Sequence, residues 1–120
     1  MGSIKIIICD DNQDNLDVLE MLLGQEGYSV IKENNSTQII QKIREQSADI
    51  LLVDLWMPVI CGDDIIKIIR TDSKLNKLPI IAFSASHDGE HIALKAGADY
   101  YISKPFDIDQ MIATIKKLLI

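Results

Sequence analysis

The 120-residue sequence has no excess of basic residues: 12 Lys and Arg stand against 18 Asp and Glu, for a net charge of −6. That balance argues against a large contact surface for a phosphate backbone, so no nucleic-acid binding is expected. There is also no apolar run near the roughly 18 residues that a membrane helix needs, and the opening residues read as a strand rather than a signal peptide. No membrane association is expected. Cysteine is scarce, with only Cys9 and Cys61, far apart and outside any CxxC pair. A reduced, cytoplasmic protein is the simplest inference. Repeats, low-complexity tracts and linker-like stretches are missing too, so residues 1–120 are expected to form a single domain around one core.

What is present is a regular alternation of short apolar runs and helical spacings. Ile50-Leu51-Leu52-Val53-Asp54 is the central run, four apolar residues ending on a carboxylate and followed soon by Pro58. An all-apolar run of this length reads as a strand buried on both faces of a parallel sheet. Ile4–Cys9, Tyr28–Ile31, Pro79–Phe83 and Tyr100–Ser103 read as the other strands. Between them lie helical spacings: Leu16, Leu19 and Leu23; Ile39, Ile40 and Ile43 after a Ser36 N-cap; and Ile65, Ile66, Ile68 and Ile69 after Gly62. A weakly apolar helix is expected from about Asp88, read as its cap, to Ala96. A final helix carries Ile108, Met111, Ile112, Ile115, Leu118 and Leu119, with Asp107 and Gln110 spaced as a capping box. Five strand–helix units joined by right-handed crossovers imply a doubly wound α/β fold, a parallel sheet with helices on both faces.

The chemistry stands at the strands' carboxyl ends: Asp10 and Asp11, Asp54, Ser84 and Lys104. In a parallel sheet these ends share one edge, where open α/β folds bind ligands. Each residue alone has a plain explanation, since Asp and Ser favour turns and caps and a lysine before proline is more often a solvated side chain. Together they bring three carboxylates, a hydroxyl and an ammonium to one place. Three like charges would repel, and a Mg²⁺ ion would relieve the conflict, because it favours a few carboxylate oxygens, waters and phosphate. Lys104 suits a phosphoryl oxygen as a point charge. Asp54 is a carboxylate able to form an aspartyl phosphate.

Asp10-Asp11, the Asp54 strand, Met57-Pro58 with Gly62, Ser84-Ala85, Ala96-Gly97-Ala98 and Lys104-Pro105-Phe106 stand together in one chain. With these pieces, the sequence resembles the receiver domain of two-component response regulators over essentially its full length. The resemblance implies a flavodoxin-like (βα)5 fold with strand order 2-1-3-4-5. It implies Asp54 as phosphoacceptor, Asp10 and Asp11 as Mg²⁺ ligands with Asp54, and the backbone carbonyl of Trp56 as a further ligand. It also implies Ser84 as the switch hydroxyl, Tyr101 as the aromatic that turns inward with it, and Lys104 as the phosphate-sensing lysine, typically in a cis bond to proline. A sensor histidine kinase or histidine phosphotransfer protein would be the phosphoryl donor. The surface of the fourth helix, fifth strand and fifth helix would be read by an output domain or protein, or would form a homodimer on phosphorylation. The sequence departs from the pattern at Cys61, where an acidic residue is common, at Ser84, where threonine is commoner, and in the bulk of Trp56.

Two other classes stay open. A phosphatase using Asp54 as nucleophile would want a second Asp two residues on, where this chain has Trp56. A receiver-like module regulated without phosphorylation often lacks part of the acidic set or the lysine, which are all present here. His87-Asp88-Gly89-Glu90-His91 matches the zinc pattern H-x-x-E-H, but Gly89 and Asp88 put His87 at or before the helix start, off the helical face that the pattern needs.

Overall fold

The computed structural model describes residues 3–105 and 107–119. Phe106, part of the Lys104-Pro105-Phe106 motif, lies outside the described residues. The strands are β1 (Lys5–Cys9), β2 (Ser29–Glu33), β3 (Ile50–Asp54), β4 (Ile80–Ser84) and β5 (Tyr100–Ser103). The helices are α1 (Gln13–Gln25), α2 (Ile39–Gln46), α3 (Gly62–Thr71), α4 (Gly89–Ala96) and α5 (Ile108–Leu118), and a 3₁₀ turn at Ser36–Gln38 leads into α2. All strand pairs are parallel, in the order 2-1-3-4-5 that the resemblance implied. Among the described residues no helix is long and apolar enough to cross a membrane.

Successive side chains of a strand point to opposite faces, and the core divides accordingly. Ile7, Cys9, Leu51, Val53 and Ala82 face α2, α3 and α4 through Ile39, Ile43, Ile65, Ile66, Ile69 and Ala93. Ile6, Ile8, Ile50, Leu52, Ile81 and Phe83 face α1 and α5 through Leu16, Leu19, Leu23, Met111 and Ile115. Each fully buried Ile or Leu side chain contributes about 1.5–3 kcal/mol, and β3, the middle strand of the order, is like β4 buried at all five positions. Its register sets the site: Asp54 stands beside Phe83, and Cys9 beside Val53, so the residues that follow β1 and β3 meet at one edge.

Three local expectations are corrected. Ser36 does not cap α2. Asn35 takes that role for the 3₁₀ turn by accepting from the Thr37 amide at 3.0 Å, while the Ser36 hydroxyl reaches across to the β3–α3 loop. Asp88 makes no side-chain cap for α4: at φ −90°, ψ 0° it has left the extended conformation that aims a cap side chain at the helix amides. β2 runs two residues beyond Ile31, because Glu33 still pairs with β1 and its carbonyl accepts from the Asp10 amide at 3.2 Å. Asp107 does cap α5, accepting from the Asp109 and Gln110 amides.

Candidate phosphorylation and metal site

Each strand end places one group. Asp10 is fully buried just after β1, and the first turn of α1 braces it: the Asn12 amide donates to Oδ1 at 2.9 Å and Asn15 Nδ2 to Oδ2 at 3.1 Å. Asn12 is itself the N-cap of α1, accepting from the Asn15 amide. Asp11 beside it is exposed. Asp54 ends β3 at 5% exposure, with Oδ1 accepting from the Trp56 amide at 3.1 Å. One carboxylate oxygen from each of Asp10, Asp11 and Asp54 lies within 4.8 Å of the others, which makes this a group able to hold a metal ion. The donors are all oxygen, which suits a hard cation such as Mg²⁺ rather than one that selects thiolates.

Gly62 lets α3 start directly beneath the site. A Cβ there would stand 2.2 Å from the Asp54 carbonyl oxygen, and the Gly62 amide closes the loop on the Leu55 carbonyl at 2.8 Å. Only a residue without Cβ permits that approach.

Lys104 enters from the other side. Its amide donates to the Ser84 carbonyl at 2.9 Å, and its bond to Pro105 is cis. Nζ lies 3.0 Å from Asp54 Oδ2, 3.5 Å from Asp10 Oδ2 and 5.3 Å from the centre of the Phe83 ring. Burial alone would lower the Lys104 pKa; the hydrogen bond to Asp54 and the attraction of Asp10 and Asp54 outweigh it and hold the pKa above its usual value. Asp54 also moves up, and for its own reason. Burial of its carboxylate, helped by the Asp10 charge, outweighs the hydrogen bonds from Lys104 and Trp56. The two shifts pull the pair in opposite senses. One ammonium shared between two buried acids stays charged but leaves Asp54 under-compensated, which is the condition a bound cation relieves.

Ser84 is fully buried at the end of β4, its hydroxyl accepting from the Ser86 amide at 3.0 Å. Tyr101, on the neighbouring β5, donates its hydroxyl to the Ser84 carbonyl at 2.9 Å. The ring lies against the start of α4, where a Cβ on Gly89 would be 2.3 Å from the Tyr101 hydroxyl oxygen. Tyr101 thus occupies an inward position in this structure. Trp56 has its amide on Asp54 but an indole that is 48% exposed. His87 precedes α4 while His91 lies within it, and neither belongs to the acidic group.

Sequence reasoning missed the Asn12–Asn15 brace, although an Asn directly before a helical spacing is a readable cap. Cys9 also has a place here. Its thiol contacts the Met57 sulfur at 3.6 Å, and burial together with the surrounding carboxylates, Glu33 first among them, pushes its pKa up to about 12. That thiol stays protonated and packs as a small apolar group.

The family described as the response regulator receiver domain matches residues 6–116. The chain belongs to that family. Among its relatives, the polar-differentiation response regulator DivK of Brucella anthropi is 32% identical over 118 residues, covering 96% of this chain and 95% of that protein. A response regulator of Chloroflexus aurantiacus superposes with a TM-score of 0.94 at 26% identity, over 98% of each chain. The receiver domain of the sensor histidine kinase PA1611 of Pseudomonas aeruginosa superposes with a TM-score of 0.90 at 28% identity, over 98% of each chain, and holds a magnesium ion in its active-site cleft. As a receiver domain of two-component systems, the chain is regulatory, and its acidic pocket at Asp10, Asp11 and Asp54 is of the kind in which receiver domains bind Mg²⁺.

Proposed function

We propose that this receiver domain, formed by residues 1–120, is a cytoplasmic phosphorylation switch with Asp54 as its phosphoacceptor. A sensor histidine kinase or histidine phosphotransfer protein supplies the phosphoryl group. The observation that carries the reading is the setting of Asp54: a buried carboxylate on a central strand buried at every position, grouped with Asp10 and Asp11 and held by Lys104 at 3.0 Å. Asp10, Asp11, Asp54 and the Trp56 carbonyl would hold Mg²⁺, which when bound neutralises the crowded carboxylates and the charge of the transferring group.

An Asp54 carboxylate oxygen attacks phosphorus. An O–P bond forms, the N–P bond of the phosphohistidine breaks, and its electron pair remains on the donor's imidazole nitrogen. Little further chemistry is asked of the protein, so catalysis is positioning plus charge neutralisation. Lys104 transfers its ammonium from the free carboxylate to a phosphoryl oxygen. Ser84 turns its hydroxyl from the Ser86 amide to donate to another. The Ser84 carbonyl accepts from Tyr101, so motion at Ser84 is felt at the ring and at Gly89, the first residue of α4. The surface of α4, β5 and α5 is then the one that an output partner or a second copy of the domain reads. The exposed Trp56 at the second position after Asp54 offers no general acid, which disfavours a small-molecule phosphatase.

Intact-mass measurement after incubation with acetyl phosphate and Mg²⁺ tests the reading. Wild type gains one phosphoryl adduct, whereas Asp54→Asn and a sample with chelator gain none. A similar adduct on Asp54→Asn would refute it, and no adduct on wild type would favour a module regulated without phosphorylation.

A further inference from the structure

The β3–α3 loop contains a strained turn with an unusual clamp. Val59 has φ 70°, a left-handed conformation that β-branched residues avoid, and it is 86% exposed, so packing does little to hold it there. The Ile60 amide donates to the Pro58 carbonyl at 2.9 Å, closing a three-residue γ-turn around Val59. The hydroxyl of Ser36 joins both ends of that turn. It donates to the Pro58 carbonyl at 2.9 Å and accepts from the Ile60 amide at 3.2 Å, and Ser36 itself is only 5% exposed.

The clamp has a rigid mounting. Asn35 caps the 3₁₀ turn through Thr37, and its own amide donates to Glu33 Oε2 at 2.9 Å. Glu33 Oε1 pairs with Lys42 of α2 at 2.9 Å. The Glu33 carbonyl accepts from the amide of Asp10. The corner from Glu33 to Ser36 is therefore bonded at one end to Asp10 and at the other to the loop that follows Asp54. Between Asp54 and the turn lie Leu55, Trp56 and Met57, of which Leu55 and Met57 are buried.

We propose that Ser36 is a positioning residue for the phosphorylation site. Its hydroxyl holds the β3–α3 loop in its strained form and so fixes the loop backbone at Trp56 relative to Asp10 and Asp54. This rests on the Mg²⁺-dependent reading given above. Without the hydroxyl, Val59 relaxes toward negative φ, the backbone from Trp56 to Pro58 shifts, and the metal site loses its preformed geometry. Ser36 touches neither metal nor phosphoryl group and acts wholly through the loop.

Mg²⁺ affinity measured by calorimetry, with Trp56 emission as a second readout, tests this on wild type, Ser36→Ala, Val59→Gly and the double variant. Circular dichroism fixes a temperature at which all four are folded. Ser36→Ala should weaken Mg²⁺ by about tenfold, the usual effect of losing a partner that orients a metal site. Glycine adopts positive φ without strain, so in the Val59→Gly background the same Ser36→Ala change should have little effect. A purely structural role for Ser36 would lower thermal stability without this dependence on residue 59. Unchanged Mg²⁺ affinity in folded Ser36→Ala, or an equal loss in both backgrounds, overturns the proposal. The functional reading fails separately if wild type binds no Mg²⁺ or if its binding survives Asp11→Ala, and the proposal then falls with it.

Discussion

Replacing Asp54 by Asn should stabilise the metal-free protein at neutral pH. At an effective dielectric constant of about 20, the Lys104 ammonium 3.0 Å away attracts the Asp54 carboxylate by about 5.5 kcal/mol, and Asp10, within 4.8 Å, repels it by at least about 3.5 kcal/mol. The remainder favours the charge by at most roughly 2 kcal/mol, whereas burying a carboxylate costs several kcal/mol. Burial therefore wins, in keeping with a pKa raised above its usual 3.8. An acid whose pKa is higher in the folded than in the unfolded state favours folding fully below the unfolded pKa. That contribution is lost as pH rises through the folded pKa. At pH 7 Asp54 is a standing deficit, and Asn, which keeps an acceptor for the Trp56 amide, should recover about 1 kcal/mol, the scale of one pKa unit. For a domain of this size that is a rise in Tm of about 4 °C. Thermal unfolding in chelator from pH 3.5 to 8 should show the two proteins converging at the acid end and separating as pH rises. Mg²⁺ at about ten times its Kd adds roughly 1.4 kcal/mol to wild type alone, so the ranking should reverse. Equal or lower stability of Asp54→Asn in chelator at pH 7, or a gap that does not change with pH, would refute the reasoning.

Lys104→Met removes the ammonium that Asp54 and Asp10 share, and chemical denaturation in chelator at pH 7 should show a loss of about 2 kcal/mol, less than for a fully buried pair because the lysine side chain is 23% exposed. Gly62→Ala forces a methyl group to within 2.2 Å of the Asp54 carbonyl, so the start of α3 or the end of β3 must move; melting should fall by several degrees and acetyl-phosphate labelling should drop with it. Asp11→Ala should lose most of the Mg²⁺-induced rise in Tm while remaining folded in chelator, because the residue is exposed, outside the core, and is proposed to hold the ion.

Much of the fold was legible because β1, β3 and β4 are short apolar runs with Asp10, Asp54 and Ser84 at or just beyond their ends. The apolar pattern ends β2 too early, at Ile31, because Lys32 and Glu33 look like loop residues. Their polarity serves ion pairs, Lys32 with Asp17 and Glu20 of α1 and Glu33 with Lys42 of α2, and those partners are distant in the chain. The role of Ser36 is hidden in the sequence for the same kind of reason. Capping rules read only the next few residues, and its partners are Pro58 and Ile60. The left-handed turn at Val59 left no trace in the sequence, since a β-branched residue is the opposite of the usual signal for positive φ.

The candidate site draws Asp10, Asp54, Ser84 and Lys104 from residues that end or follow four different strands. No contiguous fragment short of nearly the whole chain contains all of them, and no single strand–helix unit can assemble a reduced version. Loss of any one of β1, β3, β4 or β5 removes a member of the site, so a form unfolded at one of them has an incomplete site rather than a weakened one. On the proposed reading, signal output is thereby tied to cooperativity across β1, β3, β4 and β5: a molecule with a complete site has these four strands in register, and damage or nicking that frays β5, an edge strand, switches the signal off instead of blurring it.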